Sequence, residues 1–421
     1  MPTKSLLVRL GPATTLDYRQ FVTNDKWQFY DRELFETSFY PSAGALVDIN
    51  RDGRNEYIFS LTVYPFKKIP IAVLGFQDGI VDLTTTFMPN GAPTVGHPSF
   101  IHYVDINGDK NPDVVASEAG YDYPPWTGSR IGVAVATGLT FTDITTNIPQ
   151  TTSRSYAIGV ADFNNDGQLE ILIPGQGSNE PDASYLLQIN GTTVTKSDNP
   201  IANYLSEHLN SHTAIVTDDF NNDGYDDLLF SGAWVDRNNR LIYGSSNGFN
   251  TSNIIAMPAG PLGEEYIDYV ESRLGPTSTR ILSGPEVYSI SLDVNNDGKN
   301  DIFSIGIQST YYPPETYTGD PNGTNNNVTR DGGIVYGPTS FWLTKNVNGL
   351  NFLPTKTQDH NLGNIYYRGA FPFDINVDGY MDVIGHYWTI DNPKQYGTTF
   401  FLNNRGGSFT PTDASDSLGK R

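Results

Sequence analysis

The stretch DFNNDGQLE, residues 162–170, sets oxygen-bearing side chains at its first, third, fifth and ninth positions around a glycine at the sixth. That pattern suits a hard divalent cation. Calcium takes about six to eight oxygens at roughly 2.3–2.6 Å and accepts carboxylates, amides and backbone carbonyls together. In a tight loop Asp162, Asn164 and Asp166 would turn inward, the carbonyl of Gln168 or a neighbour would add a backbone oxygen, and Glu170 would close the shell. Five further stretches repeat the arrangement: Asp48, Asn50, Asp52 and Glu56; Asp105, Asn107, Asp109 and Asp113; Asp219, Asn221, Asp223 and Asp227; Asp293, Asn295, Asp297 and Asp301; Asp374, Asn376, Asp378 and Asp382. The expected cofactor is calcium, one structural ion in each of the six loops.

A metal-free alternative is an Asx-rich hairpin turn, since Asn, Asp and Gly favour turns on their own account. A carboxylate kept at the ninth position in all six copies weighs against it, because a turn alone does not require one there. An EF-hand does not fit, because its loop closes with Glu at position twelve between helices. Glycine holds the sixth position in five copies (Gly53, Gly167, Gly224, Gly298, Gly379), as expected where the chain turns through positive φ. Lys110 holds it in the second copy. It would cost about 1 kcal/mol of strain and set a cation beside the metal, so the second loop is expected to bind weakest. The second position is always apolar (Ile49, Ile106, Phe163, Phe220, Val294, Ile375) and reads as an anchor beneath the loop.

The first four loops start 57 residues apart and the last two intervals lengthen to 74 and 81, as insertions into the surface connections of a fixed repeat would produce. Such a repeat lets all 421 residues form one closed object. With 41 Gly, 27 Pro, 25 Tyr and 22 Phe and no long apolar stripe of helical period, the expected class is all-β. The formal charge is −21, and three carboxylates in each of six loops make up 18 of the 47 Asp and Glu. Such a surface repels nucleic-acid phosphate, and the imbalance reads as metal demand. The chain has no Cys, which excludes disulfides, thiolate metal sites and Cys nucleophiles. Leu6-Leu7-Val8 is too short for a signal-peptide core, and no stretch approaches the roughly 18 apolar residues of a membrane span. The expected location is extracellular or at a cell surface, reached after removal of a signal or by another route, or as a virion component.

Short apolar segments flank each loop, such as Ala157–Val160 before and Ile171–Ile173 after, so each loop joins the first and second strands of a hairpin. A second hairpin follows in segments such as YLLQING (185–191) and TFFLNNRGGSF (399–409). Four strands in about 57 residues make one blade of a β-propeller. The nonapeptides and their flanking strands resemble the FG-GAP/VCBS repeats of integrin α-subunit propellers and of many bacterial secreted and cell-surface proteins. The resemblance covers residues 40–412 and implies a calcium-bearing propeller, commonly seven-bladed, used for adhesion or recognition. The Phe-Gly and Gly-Ala-Pro signatures of the integrin form are poorly kept, with Ala116-Ser117-Glu118 or Ser231-Gly232-Ala233 in the latter place, so the match is nearer the bacterial form. Residues 43–412 are assigned to the propeller and 413–421 to a tail. Residues 1–42, with SLLVRL, RQFV and WQFY, would supply a seventh blade. In the alternative of six blades they form a cap or docking arm.

Connections from second to third strand must lie on the face opposite the metal loops. They are aromatic: Tyr121, Tyr123 and Trp126; Trp234; Tyr311 and Tyr312; Tyr387 and Trp388. Exposed Tyr and Trp supply apolar area at little entropic cost, which suits recognition of a glycan or a protein, although such rings also pack between blades. The expected function is a calcium-stabilised recognition or adhesion module. One alternative is a structural component of a larger assembly. A second is a polysaccharide hydrolase or lyase, but the six His are scattered and GxSxG, HExxH and phosphate-cradling loops are absent, so no catalytic residue is assigned.

Overall fold

The computed structural model describes residues 39–63, 68–76, 81–119, 129–150, 157–174, 184–197, 212–232, 240–249, 254–257, 281–282, 286–312, 315–318, 327–330, 333–346, 355–363, 365–376, 378–389, 396–405 and 407–413. They build six antiparallel blade sheets, each contiguous in sequence and ordered from the channel outwards, and two short two-stranded ribbons. Blade 1 comprises Phe39–Val47, Glu56–Val63, Ala72–Gly75 and Val81–Asp82, and blade 2 Ile101–Val104, Asp113–Ala116, Gly132–Thr137 and Thr140–Asp143. Blade 3 comprises Gly159–Ala161, Glu170–Ile173, Tyr185–Asn190 and Thr193–Ser197, and blade 4 His212–Asp218, Asp227–Gly232, Arg240–Ile242 and Ile254–Ala256. Blade 5 holds Glu286–Leu292, Asp301–Tyr312, Gly333–Lys345 and Thr355–Gly363, with Ile281–Leu282 added at the far end of its second strand. Blade 6 holds Ile365–Phe373, Asp382–Thr389, Tyr396–Asn403 and Phe409–Asp413.

These sheets stack face to face, so their strands are buried on both sides and read as continuous apolar runs rather than alternating ones. Ile171, Leu172 and Ile173 illustrate this: Leu172 packs towards Ile215 and Phe230 of blade 4, while Ile171 and Ile173 pack towards Val133 and Val135 of blade 2. Between blades 5 and 6 the filler is aromatic, with Phe303 stacked on Phe341 at 5.4 Å and edge-on to Phe401 at 5.2 Å.

The expectation of seven blades is corrected to six. The innermost strands of blades 6 and 1 lie against each other, and both line the central channel, so the described residues close the ring at six. This channel holds a cavity of about 360 Å³ bordered by Gly44, His102, Asp218, Ser291 and Phe371. Residues 1–38 lie outside the described residues.

Candidate metal loops

All six nonapeptides join the first and second strands of their blades and therefore share one face. Each folds by the same local bonds. One oxygen of the first-position Asp accepts the sixth-position N–H at 2.7–2.9 Å. Its other oxygen accepts the fifth-position N–H at 3.0–3.1 Å. The fifth-position Asp accepts the seventh-position N–H at 2.8–3.0 Å. These short-range bonds curl the chain round its own oxygens, and the buried second-position residue pins the loop from below in every copy.

Positive φ occurs at the sixth position, as expected, with Lys110 held at φ 69°. It also occurs at the fourth position in loops 1 to 5, where Arg51, Gly108, Asn165, Asn222 and Asn296 lie at 55–77°. That second requirement explains the Asn at this position in three loops, since Asn tolerates the left-handed region better than most residues.

The ninth-position acid is more than a shell-closing ligand. In all six loops one of its oxygens accepts the second-position N–H at 2.8–3.2 Å. A carboxylate there thus has a task without any metal, which the sequence reasoning missed. Its second oxygen divides the loops into two kinds. In the four Asp copies it accepts a backbone N–H at the end of the third strand: Ala136 to Asp113 at 2.7 Å, Gly244 to Asp227 at 2.9 Å, Asn346 to Asp301 at 2.6 Å and Asn403 to Asp382 at 2.7 Å. In the two Glu copies it stays within the loop and accepts the third-position amide, Asn50 to Glu56 at 3.3 Å and Asn164 to Glu170 at 2.9 Å.

The electrostatics follow from burial. Desolvation first, then the neighbouring fifth- and first-position carboxylates, raise the ninth acids against the pull of their backbone donors, Glu170 and Asp227 to about 7 and Asp113 and Asp301 to about 6. Glu56 and Asp382 are raised as well, with burial the leading cause.

Two observations test whether a hard cation suits these residues. Asp162, Asp166 and Glu170 each present an oxygen within 4.8 Å of the others, the convergence a divalent ion requires. In loop 6 the Asn376 Oδ1 is buried with no hydrogen-bond donor, at the third position of the oxygen set. The loop 3 acids fit calcium, and loop 6 keeps an unpaired oxygen at a position of the same set.

Two side chains that sequence reasoning did not single out tie blades together on this face. The Asn346 amide donates to the Phe220 carbonyl of loop 4 at 2.6 Å, and the Asn403 amide to the Val294 carbonyl of loop 5 at 2.7 Å. A legible trace exists, since in blades 5 and 6 an Asn stands at the end of the third strand. Arg405 was likewise missed; its Nε lies 2.9 Å from Asp378 Oδ2 in loop 6.

On the opposite face, Tyr121, Tyr123, Trp126 and Trp234 lie outside the described residues. The backbones of Tyr311, Tyr312 and Trp388 sit within the ends of second strands distal to the nonapeptide loops rather than in the connections beyond, and their side chains are outside the described set. Tyr387 is half-buried, with its ring centroid 5.6 Å from that of Tyr367, and belongs to the packing between blades 5 and 6.

The span from loop 2 to the second strand of blade 3 carries two of the nonapeptide loops, with the last three strands of blade 2 and the first strand of blade 3 between them. Residues 105–173 match the FG-GAP-like repeat. No curated protein matches the sequence. Solved structures that resemble the chain include a fructofuranosidase from Schwanniomyces occidentalis complexed with fructose, 12% identical at a TM-score of 0.37, covering 75% of this chain and 59% of that one. A Bacillus licheniformis rhamnogalacturonan lyase is 11% identical at a TM-score of 0.37, covering 85% of this chain and 71% of that one. The chain thus spans 59% of the length of that fructofuranosidase. Among the described residues no helix is long and apolar enough to cross a membrane.

Proposed function

We propose that the FG-GAP-like propeller is a recognition module acting outside the cell, its scaffold held by calcium in the six loops and its glycan or protein partner bound on the face opposite them. The observation that carries this reading is the division of labour between the two faces. On the loop face six copies share the same backbone bonds to their first-, fifth- and ninth-position acids, whereas the elaborations of the fold gather on the other. Between the second and third strands of blade 5 lies an extra ribbon, Glu315–Thr318 paired with Asn327–Arg330, and those two strands run to 12 and 13 residues. Blade 1 adds a small pair, Ile69–Pro70 with Thr94–Val95, among the connections of the same face. Variable connections on a rigid scaffold are where binding residues concentrate. Calcium in each loop would neutralise the crowded carboxylates and keep hairpin ends in register, and sites of ~0.1–1 mM affinity suffice at extracellular concentrations.

The test has two arms. A thermal melt in millimolar calcium against chelator should show a higher melting temperature with calcium, since a ligand bound only by the folded state adds RT ln(1 + [L]/Kd) per site. An unchanged melt removes calcium from the reading. A glycan array probed with the calcium-loaded protein should give binding that chelation abolishes, and silence from folded protein leaves a protein partner in place of a glycan.

A further inference from the structure

Loop 6 differs from its five counterparts at two of its oxygen positions. In loops 1 to 5 the third-position Asn accepts the fifth-position N–H through its Oδ1 at 2.8–3.0 Å, whereas Asn376 Oδ1 is buried without a donor. At the fifth position the Asp378 carboxylate is engaged by a cation of the chain itself, Arg405 Nε at 2.9 Å.

Arg405 lies in the turn between the third and fourth strands of blade 6, which returns to the loop face, and its backbone is at φ 59°. Its own N–H donates to Asn403 Oδ1 at 3.1 Å, and the Asn403 N–H donates to the ninth-position acid Asp382 at 2.7 Å. The turn is thus anchored on one carboxylate of loop 6 and sets a guanidinium on another. A guanidinium is always charged and satisfies a carboxylate through directed N–H bonds, but it cannot draw the remaining loop oxygens into a shell as a metal ion does. Asn376 Oδ1 is the oxygen left over.

We propose that Arg405 is a tethered competitor for the loop 6 cation: it holds Asp378 until a divalent ion displaces it, so loop 6 fills last of the six. This rests on the calcium reading above and moves the expected weakest site from loop 2 to loop 6. Lys110, which suggested loop 2, bonds Asp105 through its backbone N–H at 2.7 Å, the bond glycine makes elsewhere. The Arg405 side chain is 66% exposed, so the competition is of modest size, and its removal should tighten loop 6 about threefold to fivefold.

The experiment uses terbium as the probe on the full chain. Tyr380, at the seventh position of loop 6, sensitises an ion held there, and the luminescence lost in Tyr380→Leu identifies the loop 6 fraction of the titration. In Arg405→Gln that fraction should half-saturate at about threefold to fivefold lower terbium than in the wild type, and Arg405→Lys, which keeps the charge, should restore much of the wild-type midpoint. Melts in chelator check that both variants fold. Equal midpoints for wild type and Arg405→Gln, with terbium bound, overturn the competitor role and leave the calcium reading standing. Terbium bound at no loop overturns the calcium reading and the competitor with it.

Discussion

Loops 3 and 4 occupy equivalent places in neighbouring blades, yet their ninth-position acids do different work. Glu170 reaches back to Asn164 and joins Asp162 and Asp166 in a convergent set, while Asp227, one methylene shorter, is nailed to the Gly244 N–H at the end of the third strand. Both acids bond the second-position N–H, so the loop itself is unchanged. The difference shows that one motif holds two devices. In Glu-closed loops 1 and 3 the last carboxylate stays within the loop, and in loop 3 it converges with the other two acids. In Asp-closed loops 2, 4, 5 and 6 it fastens the loop to the sheet through a second backbone N–H.

The largest effect should come from removing a nail. Asp227→Ala leaves the buried Gly244 N–H without its acceptor and the Phe220 N–H with only the Asp218 carbonyl at 3.2 Å, a loss of about 3 kcal/mol in unfolding free energy. Urea denaturation should show it equally in calcium and in chelator. A loss confined to calcium would break the distinction.

Acid titration of the two loop kinds carries a background from His102, which must be separated first. Burial pushes the His102 ring down to about 4 against the raising effect of its bond to the Ile158 carbonyl, and its buried Nε2 has no donor. The folded chain keeps the ring neutral while the unfolded chain protonates below the ordinary 6.5. This contribution is therefore intact above pH 6.5 and lost as pH falls towards 4, by about 3 kcal/mol. Denaturation midpoints of His102→Gln should lose that slope; an unaltered slope would show that His102 does not carry it, since the raised loop acids gain stability as pH falls.

A finer test converts one kind of loop into the other. In Glu170→Asp the shorter acid meets a register that pairs residue 170 with Gln188 and sets Ile189 one step beyond, the place Gly244 holds relative to Asp227 in blade 4. Stability in chelator should change by less than about 1 kcal/mol, while calorimetric titration should show loop 3 binding calcium about tenfold more weakly. Unchanged affinity would mean that side-chain length does not divide the loops. The smallest effect is expected within the Asp-closed group, where Lys110→Gly relieves a residue held at φ 69° and should raise stability by about 0.5–1 kcal/mol. No gain on denaturation would show that the turn imposes no strain.

Much of this was legible in the residue order. Strand class, loop placement and the buried second-position anchors all depend on contacts spanning a few residues, and each appears where the pattern set it. The partners that divide the loops were not legible, because they arrive from afar: Gly244 is 17 residues from Asp227, Asn346 is 45 from Asp301, and Arg405 is 27 from Asp378. The blade number was also beyond reach, since it depends on how the first and last sheets meet across the channel.

The sequence by itself determined six oxygen-lined turns between strands buried on both faces, since turn sterics and side-chain reach operate within nine residues. Only the tertiary structure decided which carboxylate oxygens remain for a cation and where the ring closes. The physical reason is that the ends of the third strands and the seam between blades 6 and 1 are set by long-range pairing and packing, and a carboxylate one methylene longer or shorter then binds whichever donor lies within reach.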